Sequence, residues 1–304
     1  MTATGMKTTS RDSIGRPGTG QVRVRFGALA FGLGGATSAA GTIDAVGEDA
    51  VGFVSGDRVA YWGGDAGRIA VRLVDVENLI GIPRGVSDQQ AAALLPSGLA
   101  ARTLVKEVNA VGGNDTVLVH AASTLLGSMT VAWAKALGAT VIATVGSASG
   151  RDQAIKSGAD DVIVFGEEDV TARVLEITGD RGVDIVYDGV GAATVATSLA
   201  SLRRDGVLVQ FGANQPRIDP QDAASKGVSI LRAQLGQHRP GGSIQQGAAD
   251  VFVAIRSGVF DGVPIARYPL SDSARALADL ESRRVNGSVV LVPSGSRDSV
   301  DLAA

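Results

Sequence analysis

Thr116-Val117-Leu118-Val119-His120, running on into Ala121-Ala122-Ser123-Thr124-Leu125-Leu126-Gly127, decides the fold of this chain. The first five residues make a short, nearly continuous apolar strand, the pattern of a strand covered on both faces. From Gly127 to Leu137 the period changes, because Met129, Ala132, Trp133 and Ala136 recur at helical spacing. Thr140 to Val145 is a second apolar strand. Strand, tight turn, helix and strand form one βαβ unit.

Downstream the unit repeats. Asp161 to Phe165, Gly182 to Asp188 and Gly206 to Gly212 are further short strands, separated by helix-length segments. Parallel neighbours need crossover helices, and these cover both faces, so the fold class is α/β with a Rossmann-type doubly wound parallel sheet. Upstream, Val22-Arg23-Val24-Arg25 and Thr42 to Val46 alternate, and Asp57-Arg58-Val59-Ala60-Tyr61 follows a glycine turn, which predicts a β-rich lobe. Ser87 and Gln90 are spaced as a capping box and start a helix; a second helix is predicted from Gly98 to Val108. A helix from about Ala248 to Ser257, the piece Tyr268-Pro269-Leu270, a helix from Ser273 to Ser282 and a strand from Ser288 to Val292 complete the chain. The expected organisation is a flexible lead-in over 1–20, a β-rich lobe over 21–97 and 262–293, a Rossmann domain over 98–261, and a flexible tail over 294–304.

Composition narrows the function classes. Across 304 residues the formal net charge is −3 with the signs interspersed, so no basic stripe exists to neutralise phosphates, and neither nucleic acid nor a membrane is an expected partner. With no cysteine, and with His120 and His238 far apart, no zinc or other metal site is expected. The first twenty residues lack a signal-peptide core and no apolar run has the length of a membrane span, which reads as a cytoplasmic protein.

Several strings then resemble one family in its own order: Gly56-Asp57-Arg58-Val59-Ala60-Tyr61, Gln90-Ala91-Ala92-Ala93, Gly98-Leu99-Ala100-Ala101, Trp133-Ala134-Lys135-Ala136-Leu137-Gly138-Ala139, Gly182-Val183-Asp184-Ile185-Val186-Tyr187-Asp188-Gly189-Val190-Gly191 and Leu280-Glu281-Ser282-Arg283. They are similar to the zinc-independent quinone oxidoreductases and enoyl reductases of the medium-chain dehydrogenase/reductase superfamily, over about Val22 to Pro293. The resemblance implies a GroES-like (chaperonin-10-like) β lobe and a cleft for NADPH and a small apolar substrate with a quinone, enone or enoyl C=C. It also implies direct hydride transfer and a homodimer joined through edge strands of the Rossmann sheet.

Against that family the chain departs at its cofactor loop. Thr124 and Leu125 stand where relatives have a Gly-Gly pair, leaving Gly127 alone, at the helix-packing position. One reading is that the side chains fill the pyrophosphate's space, with β-branched Thr124 opposing a positive φ; the other is that the Ser123 or Thr124 hydroxyl bonds the phosphate instead. In Gly146-Ser147-Ala148-Ser149-Gly150-Arg151, Gly150 takes the place of a lysine that relatives turn to the adenosine 2′-phosphate. Arg151 either reaches that phosphate or is a solvated arginine at a helix start. Phe165 replaces a tyrosine near the adenosine, and Gly212-Ala213-Asn214 ends a strand at the crevice. The candidate cofactor residues are therefore Ser123, Thr124, Leu125, Leu126, Gly127, Gly146, Ser147, Arg151, Phe165, Gly212 and Asn214.

The candidate catalytic residues are His238, in a segment that relatives place beside the nicotinamide, and Tyr61, on the loop toward the cleft with Trp62 and Asp65. His120, at a buried strand end, fits a structural hydrogen-bonding role. The span Phe26 to Ser38, read as a loop, lacks the Asn and Tyr of relatives. Three functions remain: an NADPH-dependent quinone or enoyl reductase, a cofactor-independent cyclase or isomerase of a polyketide-like apolar substrate, and a non-catalytic binding protein.

Overall fold

The computed structural model describes residues 15–31, 37–61, 70–213, 215–235, 242–282, 284–285 and 287–294. In chain order the elements begin with β1 (Gln21–Phe31), β2 (Thr37–Val46), β3 (Arg58–Tyr61), β4 (Val71–Asp75), β5 (Leu79–Gly81) and α1 (Asp88–Arg102). Then come β6 (Thr116–Val119), α2 (Leu125–Ala136), β7 (Thr140–Val145), α3 (Arg151–Lys156), β8 (Asp161–Val164), α4 (Val170–Thr178) and β9 (Val183–Asp188). The chain continues through α5 (Val195–Ser201), β10 (Leu202–Phe211), α6 (Pro220–Lys226), β11 (Ser229–Ala233) and α7 (Gly242–Arg256), and ends in β12 (Ile265–Pro269), α8 (Ser273–Glu281) and β13 (Ser288–Val292). No helix among the described residues is long and apolar enough to cross a membrane.

Two compact units divide the described residues, one within Met1–Pro96, Arg239–Ser257 and Pro264–Ala304, the other within Ser97–His238 and Gly258–Val263. The expected division placed 98–261 in the Rossmann domain and 262–293 in the β-rich lobe. The α7 helix groups with the β-rich unit, where Gln245, Ala249, Phe252 and Arg256 line a pocket with Ile80, Gly81 and Pro83.

The first unit carries a seven-stranded sheet, ordered β12-β13-β1-β2-β3-β5 with β4 on β1. Its pairings are antiparallel except β12 with β13. The span Phe26 to Phe31, expected as part of a loop, is strand: Leu29, Ala30 and Phe31 pair with Leu291, Val290 and Val289. Phe26, Ala28, Leu29 and Ala30 are all buried, so no polar alternation marks the strand.

Helix α1 also differs from expectation. It starts at the capping box, where Gln90 N–H donates to Ser87 Oγ at 3.1 Å and Ser87 N–H donates to Gln90 Oε1 at 3.0 Å. It then continues through Pro96 to Arg102 and passes into a π-helical stretch, Thr103–Val108, so a single run stands where two helices were expected. Proline has no N–H for the carbonyl four residues back, here Ala92, and an unmet carbonyl normally breaks or kinks the helix. Ser38 of β2 meets it, its hydroxyl donating to Ala92 O at 2.6 Å in a buried position.

The second unit is a six-stranded parallel sheet, ordered β11-β10-β9-β6-β7-β8. Leu118, Ile142, Ile163, Val174, Val186 and Leu208 form its core, each wholly buried. Each such side chain contributes about 1.5–3 kcal/mol of burial.

Candidate functional site

Strand β6 runs to β7 on one side of the sheet and β9 follows it on the other, so the order reverses between β6 and β9. Ligands of open α/β sheets bind outside the carboxyl ends of the strands at such a point. A cavity of about 620 Å³ lies there. The β6–α2 turn lines it with His120, Ala121, Thr124, Leu126 and Gly127; Gly189, Phe211, Gly212, Ala213 and the segment Ala233 to Leu235 come from the ends of β9, β10 and β11. Gly189 is glycine because of Phe211: a Cβ there would lie 2.3 Å from the ring.

Residue by residue, the turn explains its own sequence. The positive φ falls on Ala121, at +52°, not on Thr124. Thr124 is extended (φ −78°, ψ 161°) and caps α2, while Leu125 is the first helical residue, so neither needs glycine's freedom and the expected conflict with a positive φ does not arise. The Thr124 hydroxyl donates to Ala121 O at 2.9 Å and accepts the Gly127 N–H at 3.2 Å. Gly127 has no such latitude, since a Cβ would sit 2.3 Å from Ala121 O and 2.9 Å from Ala122 Cα. The first-turn N–H groups of Leu125 and Leu126 have no carbonyl within the helix to bond and lie at the positive end of its dipole.

Beneath the turn runs a buried polar chain. Ser198 Oγ donates to Asp188 Oδ2 at 2.7 Å, so its oxygen accepts from His120 Nε2–H at 3.1 Å, and His120 Nδ1 accepts from Thr144 Oγ1 at 2.9 Å. That order follows from Ser198 having one proton to give. Asp188 also accepts from Val190 N, Gly191 N and the Thr194 hydroxyl. Burial holds the His120 imidazole below its ordinary pKa, against the opposing pull of Asp188. The network joins the ends of β6, β7 and β9 to α5, in agreement with a structural role for His120.

At the far side of β7, Gly146 and Ser147 are exposed, and Ser123 packs on Gly150, where a Cβ would meet its Cβ and Oγ at 3.1 Å. Arg151 is not a free solvated arginine: it donates to Val162 O at 2.7 Å and to Glu168 Oε1 at 3.0 Å. The Glu168 carboxyl is held below the usual range first by the Val164 N–H and then by Arg151, burial opposing. Phe165 is partly exposed at the end of β8.

Tyr61 is placed otherwise than a substrate-facing hydroxyl would be. It is 6% exposed in the core of the first unit, 6.2 Å from the Phe26 ring and under the Arg72 guanidinium. Its burial follows from long-range strand pairing, with Ala39 of β2 and Leu79 of β5 beside it. His238, Asn214, Trp62 and Asp65 lie outside the described residues. Sequence reasoning missed Ala121, Gly189, Phe211 and Ala233 to Leu235; for all but Ala121, a position at or just beyond the end of β9, β10 or β11 was the available signal. Among the described residues, no group of three or more His, Asp or Glu is placed to hold a metal ion.

Comparison with known proteins agrees with this architecture. The family model described as zinc-binding dehydrogenase matches residues 126–251. A quinone oxidoreductase of Pseudomonas aeruginosa is 36% identical over 271 residues, covering 87% of this chain and 83% of the relative. A 2-haloacrylate reductase of Burkholderia is 31% identical over 309 residues, covering 92% and 93%. The crystal structure of Escherichia coli quinone oxidoreductase complexed with NADPH superposes with a TM-score of 0.81 at 31% identity, covering 92% of this chain and 93% of that one. The chain belongs to the medium-chain dehydrogenase/reductase superfamily, in its zinc-independent quinone oxidoreductase branch.

Proposed function

We propose that the protein is an NADPH-dependent reductase of a quinone or an electron-poor enone or enoyl C=C, acting as a homodimer on a small apolar substrate. The observation that carries this reading is the 620 Å³ crevice onto which the first turn of α2 opens, a volume typical of small-molecule sites. The reductase names of the relatives, and the NADPH bound to the E. coli enzyme, support it.

The residues present fit a dinucleotide. Leu125 and Leu126 offer first-turn N–H groups to a pyrophosphate, and Gly127 keeps the helix close enough to the strand for them to be reached. Leu126, Phe211 and Leu235 give the crevice part of its apolar surface. The buried His120–Ser198–Asp188 chain keeps the crevice floor rigid. A dinucleotide bound there would supply the hydride, and His238 is the proposed donor of the proton that the substrate takes up.

The competing reading, a cofactor-independent cyclase or isomerase, rests on Thr124, whose hydroxyl already accepts the Gly127 N–H that an anion would take. Titration of NADPH followed by fluorescence or calorimetry separates the two. Saturable binding of NADPH or NADH supports the reductase, and no binding of either at millimolar concentration overturns it. Thr124→Gly combined with Leu125→Gly is expected to tighten NADPH by about tenfold, the equivalent of about 1.4 kcal/mol for removing the internal competitor.

A further inference from the structure

The adenosine of a dinucleotide on a doubly wound sheet lies beyond the strand next to the switch point, here β7. There a carboxylate grips a free ribose diol, or a cation takes a 2′-phosphate. After β7 the chain reads Gly146-Ser147-Ala148-Ser149-Gly150-Arg151, with no carboxylate before Asp152 and a single cation.

That cation is engaged elsewhere. The Arg151 guanidinium bonds Val162 O at 2.7 Å and Glu168 Oε1 at 3.0 Å, and the same Glu168 oxygen accepts the Val164 N–H at 2.9 Å. The three groups form a clip that ties the start of α3 to the β8 backbone. The Ser147 and Ser149 hydroxyls lie 2.9 Å apart and bond each other. A Cβ at Gly150 would lie 3.1 Å from Ser123 Cβ and Oγ and 3.2 Å from Val145 Cβ, so a longer residue there needs these neighbours to give way. Phe165, just after β8, is partly exposed and carries no hydroxyl.

We propose that this chain binds its nicotinamide dinucleotide without reading the 2′-phosphate, so that NADH and NADPH bind alike. Glu168 sets this property by holding Arg151 on the β8 backbone. The inference rests on the reductase reading, and the experiment separates their failures.

Calorimetric titration of the whole protein with NADH and with NADPH is expected to give dissociation constants within about threefold of each other, less than one charge-assisted hydrogen bond provides. Arg151→Ala is expected to lower the thermal midpoint and leave that ratio unchanged. Glu168→Gln, which weakens the clip, is expected to tighten NADPH alone, by about tenfold. A tenfold wild-type preference for either dinucleotide, or an Arg151→Ala loss confined to NADPH, overturns the inference while the reductase reading stands. A Glu168→Gln protein that folds and keeps the wild-type ratio overturns the role given to Glu168. Binding of neither dinucleotide overturns both.

Discussion

Ser38 and Ala92 meet in a single hydrogen bond that a proline makes necessary. Ser38→Ala leaves the Ala92 carbonyl buried and unmet, and is expected to lower stability by about 1–3 kcal/mol in denaturant melts. An unchanged midpoint would mean that the carbonyl has another partner. The sequence displays Pro96 plainly but not Ser38, 54 residues away from Ala92, which is why a continuous helix through Pro96 is not legible and two helices are expected where one run is found. Ala121 is illegible for a related reason: nothing in an alanine announces a φ of +52°, and the glycines of relatives pointed three residues too far along. His120 carries a pH signature. Its pKa is lowered in the fold relative to 6.5, so the folded state binds its proton less well than the unfolded chain does. That contribution is full above 6.5 and is lost as pH falls through 6.5 toward the folded value. The slope of thermal midpoint against pH just below 6.5 should therefore flatten in His120→Gln; an equal slope in both proteins would remove His120 as its source.

At the scale of elements, the parallel strands were legible because burial on both faces leaves short apolar runs with glycine beside them. The cap of α1 was legible because Ser87 and Gln90 act over three residues. The end of strand β1 is not legible because Leu29 to Phe31 pair with β13, whose contribution arrives from the other end of the chain. The β6–α2 turn was half legible: its glycine at 127 was assigned to close packing, which the 2.3 Å approach of Ala121 O bears out. Gly127→Ala must push the helix off the strand, and an overpacked contact of this kind costs about 1–3 kcal/mol. The expected outcome is a lower thermal midpoint together with weaker NADPH binding, because the N–H groups of Leu125 and Leu126 move with the helix. A variant with wild-type affinity would argue that the turn does not position a ligand.

For the whole molecule, the proposed dimer has a physical site in β11, the end strand of the six-stranded sheet. An edge strand offers backbone groups to a second copy, and Ser229, Ile230, Leu231 and Arg232 are all at least partly exposed. Light scattering should give twice the 30.7 kDa of one chain, and Ile230→Lys, placing a charge on that edge, should return the mass of one. A wild-type mass of 30.7 kDa would exclude the dimer.

The bond from Ser38 to Ala92 also bears on the order of assembly. In a chain whose sheet has not yet formed, the part of α1 before Pro96 is far below the roughly 12–15 residues that an isolated helix needs in water. The helix is therefore expected to be completed late, after β2 has delivered its serine. In stopped-flow measurements Ser38→Ala should speed unfolding and leave the refolding rate nearly untouched, a φ-value close to zero at the centre of a helix.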